Sequence, residues 1–310
     1  MANSIDFSNL TYCGEEAQKI FSYDVYNLDL RRSGITFMDG LKTKMKLYTG
    51  ELGELWQAYT CPFEASDGAS LDESTIEAVP IKVNLEECYD QFWNNYLVES
   101  TEISLNGGIP APFSEWFFEK LRQKMSKEYA EIFWKGDTTG TGYLSVIDGI
   151  EKQLDDNANV TKIQGSAITI ANVVSQVEAA VEAAMAQAAT LDVAMDDYKI
   201  FMNHSDAAIL RVALGKICCT PLNGFGNYGI ENGRMTIYGF EVVETVQSRN
   251  TIIVAPAKNL VLGFDTYSSS VEYKLIDLRN TTGDNMFRII AISNIGAGIV
   301  FPELAVISKP

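Results

Sequence analysis

The stretch GFGNYG spells G-x-G-x-x-G, the spacing at which Gly224, Gly226 and Gly229 could let main-chain N–H groups approach a pyrophosphate. That chemistry needs a strand running into the first glycine and a helix leaving the last, so that the helix N-terminus faces the phosphates. Here the order is inverted: the helical SDAAILRVALGK leads in, Pro221 interrupts, and the strand-like MTIYGFEVV leads out. The context favours a flexible glycine-rich loop, and a dinucleotide-dependent enzyme using these three glycines stands as the third of three functional readings. No cofactor is expected.

The other reactive residue types do not assemble into a site. His204 is the single histidine, which removes most zinc and Ser-His-Asp arrangements. A Cys-His-Asn set could draw on Asn203, but nothing in the sequence brings a thiol beside it, so His204 reads as an ordinary residue before a helix cap. Cys218 and Cys219 are adjacent, and two thiolates do not complete a tetrahedral metal site. The run DDNAN, 155–159, offers oxygen ligands but lacks the glycine and distal glutamate of a calcium loop, so it reads as a solvated turn. Glu86 with Glu87, and Glu15 with Glu16, are neighbours in sequence and diverge in space, which suits no acid and base pair. No catalytic residue and no metal ligand is assigned.

A different pattern lies at KTKMKLY, where Lys42, Lys44 and Lys46 share one face of a strand and Thr43, Met45 and Leu47 the other. In a chain of net charge −17 such a stripe would find acidic surface on any identical neighbour, which favours self-assembly. Lysines also blunt an exposed strand edge against unwanted pairing, and both readings stay open.

Those residues must be held by a substantial body. The chain of 310 residues is 46% hydrophobic, ample for a large core in one or two domains. Its acidity opposes tight non-specific binding to nucleic acid or anionic lipid. The start MANSIDFSNL lacks the features of a secretory signal, and no run of about 18 apolar residues suggests a membrane span. Five scattered cysteines without C-x-x-C suit free thiols in a reducing cytoplasm.

Residues 1–33 mix charges with isolated aromatics and read as an arm that packs on its own body or on a neighbour. From 35 to 63 the alternation predicts a long hairpin, with TGELGEL as the turn and WQAYTCPF as the return. The acidic EASDGASLDES, 64–74, reads as a loop, and TIEAVPIKVNLE as a strand whose Pro80 puts it at an edge or bulge. A helix is predicted over 114–134, capped by Ser114 and ended by Gly136, and a second over 169–189 with Ile170, Val173, Val174, Val177, Val181, Ala184 and Met185 in one stripe. A strand at 199–202 precedes a helix capped by Ser205 and stopped at Gly215. Beyond it come strands at MTIYGFEVV, TIIVA, NLVLGF, SVEYKLIDL, MFRIIAIS and IVFPELAVI, with NTTGD closing a hairpin.

Read in order, arm, basic hairpin, strand, long helix, helix-rich middle and strand-rich end resemble the major capsid proteins of tailed bacteriophages of the Hong Kong 97 type. DNMFRIIAISNIGAGIVFPELAVI resembles that family's closing segment, a strand, a small-residue turn with Gly296 and Gly298, and a final strand with a Pro302–Glu303 step. MTIYGFEVVET with NTIIVAPAKNLVLGFD resembles its stretch displaying Gly-x-Asp, here Gly263 and Asp265. DGLKTKMKLYTGELGELWQAYTCPF, VPIKVNLEECYDQFW and SEWFFEKLRQKMSKEYAEIFWKGD resemble, more narrowly, capsid proteins of crAss-like and related phages.

The resemblance implies an α+β fold with an N-terminal arm at 1–33, an extended hairpin loop at 34–70, a peripheral domain at 71–145 and 265–310 with a long spine helix, and an axial domain at 146–264. It implies a structural protein, not an enzyme, assembling as hexamers and pentamers into an icosahedral shell around double-stranded DNA, in a virion put together in the host cytoplasm. Lys42, Lys44, Lys46, Glu51, Glu54 and Trp56 would then touch neighbouring subunits, and Gly224, Gly226 and Gly229 would sit near the capsomer axis. Portal, scaffold or decoration proteins would be further partners, and no membrane. An encapsulin-like shell around cargo enzymes is the second reading of the same fold.

Overall fold

The computed structural model describes residues 11–13, 33–41, 43–52, 69–88, 93, 95–101, 113–217, 228–231, 234–265, 272–278 and 282–310. Three sheets organise them. The six-stranded sheet runs β1 (Thr11–Cys13), β13 (Glu272–Asp277), β14 (Met286–Ile299), β12 (Leu260–Asp265) and β2 (Thr36–Asp39), with β5 (Val79–Cys88) also on β14. The seven-stranded sheet runs β6 (Thr161–Gln164), β15 (Val306–Lys309), β11 (Ile252–Pro256), β7 (Tyr198–Asn203), β10 (Phe240–Thr245), β9 (Arg234–Ile237) and β8 (Tyr228–Glu231). β3 (Lys44–Leu52) and β4 (Ala69–Glu77) form a two-stranded ribbon of their own.

β14 is the axis of the first sheet. Its residues 287–292 pair with both β13 and β5, and Asn294 and Ile295 pair with both β12 and β5. β13 and β12 therefore follow one another along one edge of β14, and β5 takes the other. Among the described residues β5 has no other sheet partner, so Pro80, opposite Asn294, sits in an edge strand as its missing N–H requires. The arm reaches its own body: Thr11–Cys13 pairs antiparallel with β13.

The predicted long helix is α1 (Phe113–Lys135), one residue longer at each end than expected. Its Phe117, Met125, Tyr129, Ile132, Phe133 and Trp134 are buried, and Gly136 N–H closes the last turn on Ile132 O. Residues 95–101 are helical and lean on its first half, where Trp116 Nε1 donates to Glu99 at 2.7 Å and Lys120 pairs with the same carboxylate at 3.1 Å. α2 (Ile150–Asp156) follows after a Gly136–Gly149 contact so close that a side chain on either would strike backbone.

α3 (Val173–Thr190) starts later than 169, so Ile170 falls in the preceding turn and is 44% exposed; Met185, placed in the stripe, is 50% exposed. Its buried line is Val173, Val177, Ala180, Val181, Ala184 and Ala188, small enough to lie flat on the sheet. α4 (His204–Ile217) is capped two residues earlier than expected: Asn203 Oδ1 accepts from Ser205 N–H at 2.9 Å, so Asn203 replaces Ser205 as the cap. Gly215 lies inside α4 and does not stop it.

The seven-stranded sheet is buried on both faces at its centre, and its side chains alternate accordingly. Ile200, Met202, Ile252, Val254 and Val306 join α3 and α4 in one core. Phe201, Ile253, Ala255 and Ile307 join the other core, with Phe133, Trp134, Leu154 and the inner residues of β12 and β14. Trp134 packs on Phe201 at 5.4 Å between ring centroids and on Phe133 at 5.2 Å. At about 1.5–3 kcal/mol per buried large apolar side chain, this shared core binds the two sheets into one body.

Two chain crossings join the sheets, β11 to β12 and β14 to β15, and Asn259 stitches them. Val300 N–H donates to Asn259 O at 3.1 Å, Phe301 N–H to Asn259 Oδ1 at 2.6 Å, and Asn259 Nδ2 to Phe301 O at 2.7 Å. Pro302 and Glu303 fall in this crossing, and β15 completes the seven-stranded sheet, not the sheet of β14.

The turn after β10 is held by buried polar groups. Gln247 Nε2 donates to Phe201 O at 3.1 Å and Thr251 O at 2.6 Å. Ser248 N–H donates to Glu151 on α2 at 2.5 Å, and Asn250 N–H to Asp206 on α4 at 2.6 Å. Asn250 has φ 63°, a left-handed conformation that asparagine tolerates better than most residues.

Candidate assembly surface

The ribbon is the element least absorbed by the body. Its first strand starts where expected, but TGEL continues β3 instead of turning, and the return is Ala69–Glu77. The expected return at 56–63 lies outside the described residues, and much of the acidic stretch taken as a loop is strand. The difference has a physical cause: in ASLDESTIE the apolar residues are Ala69, Leu71 and Ile76, too few to show a period of two.

Lys44 and Lys46 are exposed, as the period of two requires, and so is Met45 between them at 43%. Met45 is left partly open although Ile76, opposite it, is buried against the body. Lys44 is opposite Glu77, and Lys46 is opposite Thr75. Lys44 Nζ lies 3.0 Å from the Glu77 carboxylate, so part of the basic stripe is matched within the ribbon. Glu51 belongs to β3 opposite Ser70, in the alternate register from Lys44 and Lys46. Lys42, Glu54 and Trp56 lie outside the described residues.

The root of the ribbon is anchored in a socket that sequence reasoning missed. Gly263 on β12 pairs with Gly296 on β14, and Val261 with Gly298, so three glycines share one face of the sheet. Leu41, which leads into β3, and Ile76, near the end of β4, are 4% and 0% exposed and rest there with Ala78 and Val261. A Cβ at Gly263 would overlap Leu41 Cδ2; one at Gly298 would stand 2.5 Å from Ile76 Cγ1; one at Gly296 would stand 2.6 Å from the Glu77 carbonyl oxygen. Hydrogen bonds complete the joint: Leu41 N–H to Phe264 O at 3.1 Å, Ala78 N–H to Thr43 O at 2.6 Å and Ser74 Oγ to Ile299 O at 3.0 Å. Beside it an open cleft of about 370 Å³ is lined by Ser74, Thr75, Gln153, Asp156, Asn157 and Pro302, among others.

This corrects two expectations. Gly296 and Gly298 do not make a turn but stand in mid-strand, and Gly263 with Asp265 is not displayed, since Asp265 is fully buried beside Asn294. The signal was present in NIGAGI: Ile295, Ala297 and Ile299 face the core, and the intervening glycines therefore share the opposite face.

At the far edge of the seven-stranded sheet, Gly229 belongs to β8, opposite Thr236 on β9. A strand occupies the place where the dinucleotide fingerprint needs a helix, which removes the nucleotide reading and also corrects Gly229 as a loop residue. Gly224 and Gly226 lie outside the described residues. MTIYGFEVV is not one strand but the hairpin β9–β10, turned at Tyr238 (φ 53°) and Gly239 (φ 87°), as a two-residue loop with both φ positive demands.

The remaining candidates are surface features. His204 Nδ1 lies 3.6 Å from Glu244, which also pairs with Arg211. Of the 155–159 run expected as a turn, Asp155 and Asp156 close α2 instead, where Asp155 meets Lys309 at 3.1 Å and Asp156 meets Lys152 at 3.4 Å. Glu86 faces Arg288 across β5 and β14. Cys218 and Cys219 lie outside the described residues, and among the described ones no three His, Cys, Asp or Glu gather as metal ligands would. No described helix is long and apolar enough to cross a membrane.

No protein-family model and no curated protein matches the chain. Solved structures do match along nearly its whole length. A capsid chain of an empty GTA particle aligns with TM-score 0.57 at 13% identity, covering 91% of this chain and 89% of that one. A chain of the satellite phage P4 procapsid that includes the size determination (Sid) protein gives 0.58 at 11%, covering 94% and 98%. A chain of the cyanophage A-1(L) capsid gives 0.55 at 10%, covering 91% and 92%. At these identities the likeness is one of fold: this chain has the α+β, Hong Kong 97-type fold of tailed-phage capsid structures.

Proposed function

We propose that this chain is the major capsid protein of a tailed bacteriophage, a structural and non-catalytic subunit that assembles as hexamers and pentamers into an icosahedral shell around double-stranded DNA. The observation that carries the reading, on top of the fold, is the ribbon: two nine-residue strands that among the described residues pair with each other alone, with Lys44, Met45 and Lys46 exposed while Ile76 roots them in the body. Such a ribbon is marginal alone in water, and laid across a neighbouring subunit it would gain the cover its own body does not give.

On this reading the arm is 1–33, the extended loop 34–70, the peripheral domain 71–145 with 265–310, and the axial domain 146–264; β4 runs from the loop into the peripheral domain. β12 and β15 cross the boundary between the peripheral and axial domains, each pairing in the other part's sheet. Lys42, Lys44, Lys46, Glu51, Glu54 and Trp56 are the subunit contacts, and Gly224, Gly226 and Gly229 lie toward the capsomer axis. Portal, scaffold or decoration proteins complete the particle, which is a virion assembled in the host cytoplasm. The net charge of −17 opposes tight non-specific binding of the enclosed DNA, which is held without sequence-specific contacts.

Deleting residues 50–55 tests it. The subunit is expected to fold, by circular dichroism, while electron micrographs show no shells; normal shells would refute the assigned role of the ribbon. Nuclease-protected DNA in wild-type particles supports the phage reading, and a packaged enzyme in its place would make the shell encapsulin-like.

A further inference from the structure

We infer that Gly263, Gly296 and Gly298 are positioning residues for assembly: their missing side chains, not the pairing of the ribbon strands, set where and at what angle the ribbon leaves the body. Its importance for shells rests on the capsid reading above; the geometry does not.

The two strand roots enter the socket as separate knobs. Leu41 arrives from β2 after Gly40, whose φ of +83° makes the bend, and Ile76 arrives at the other end of the ribbon. Each knob lies on its own glycine, Leu41 on Gly263 and Ile76 on Gly298, while the Glu77 main chain passes over Gly296. Two knobs and one backbone crossing fix a direction, where one contact would leave a swivel. The opposite face of the same strands is occupied by Leu262, Phe264, Ile295, Ala297 and Ile299 in the main core, so the floor of the socket cannot retreat.

The three positions are unequal, and this makes the inference testable. The obstacles at Gly263 and Gly298 are side-chain carbons, Leu41 Cδ2 and Ile76 Cγ1, which a second substitution can trim. The obstacle at Gly296 is a carbonyl oxygen, which no substitution removes.

The experiment measures amide exchange at residues 43–47 and 74–78 in the unassembled subunit, with exchange in β7 and β11 as the control for folding, and shell yield in parallel. Gly263→Ala, Gly296→Ala and Gly298→Ala are each expected to raise exchange at the root by about tenfold, leave the control strands within about twofold, and abolish shells. Adding Ile76→Ala to Gly298→Ala, or Leu41→Ala to Gly263→Ala, is expected to restore root protection and shells. No trimming variant is expected to restore Gly296→Ala. Exchange rising equally in root and control strands, unchanged exchange, or failure of both trimming pairs would overturn the inference. If wild type forms no shells while the root responds as described, the capsid reading fails and the socket stands.

Discussion

Lys44 and Glu77 face each other across the first rung of the ribbon, Nζ 3.0 Å from the carboxylate, with 60% and 58% of their side chains exposed. The charge nearest the body is thus answered inside the ribbon. Exposed pairs of this kind contribute little, so Lys44→Ala should change unfolding free energy by less than about 1 kcal/mol in urea titration, while shell yield falls as a subunit contact is lost. Shell yield that stays at the wild-type level across salt concentrations in light scattering would remove Lys44 from the subunit contacts.

Glu151 sits at the start of α2, buried, with Ser248 N–H on its carboxylate. Burial pushes its carboxyl above the ordinary glutamate range, against the opposing pull of the Ser248 hydrogen bonds. The folded state therefore holds this proton more tightly than the unfolded chain, and stability falls as pH rises from the unfolded value through the folded one. Glu151→Gln keeps an acceptor for Ser248 and removes the charge. The melting temperature of the variant should exceed that of wild type at pH 8, and the gap should close as pH falls toward 4.

Trp134 is fully buried between Phe133 and Phe201, and its indole N–H has no partner among the described residues. Trp134→Ala should cost about 3–5 kcal/mol in chemical denaturation. Trp134→Phe should cost markedly less than that, since it keeps a ring and removes a buried donor without an acceptor.

Asn259 is 4% exposed and joins the two inter-sheet crossings through both ends of its amide. Asn259→Ala should lose about 1–3 kcal/mol. Asn259→Asp should be no better, because a carboxylate can still accept from Phe301 N–H but repels Phe301 O. Equal stability of wild type and both variants in urea would show that the crossings hold without the stitch.

What the sequence disclosed tracks where one face of an element meets a core. α1 was legible because its apolar residues recur at helical spacing and Gly136 ends it. The β13–β14 hairpin was legible for the same reason in period two. β4 was not, because the polar run between Leu71 and Ile76 breaks any apolar alternation. The Tyr238–Gly239 turn was passed over because a bulky residue takes the first left-handed position there. The socket is harder to see because glycine usually marks a turn, whereas in NIGAGI its spacing of two marks a strand face. The charged candidates were legible as types, but their partners, such as Lys309 for Asp155, come from distant parts of the chain.

β15 lies between β11 and β6, with Val306 parallel to Thr161 on one side and antiparallel to Val254 on the other. Until residues 306–309 arrive, β6 has no neighbour in the sheet and the central strands stop at β11. Closing that gap joins segments far apart in sequence, a slow step in folding. Newly made subunits would spend that interval with an unfinished sheet edge, and the tempo of strand insertion would limit how fast competent subunits accumulate.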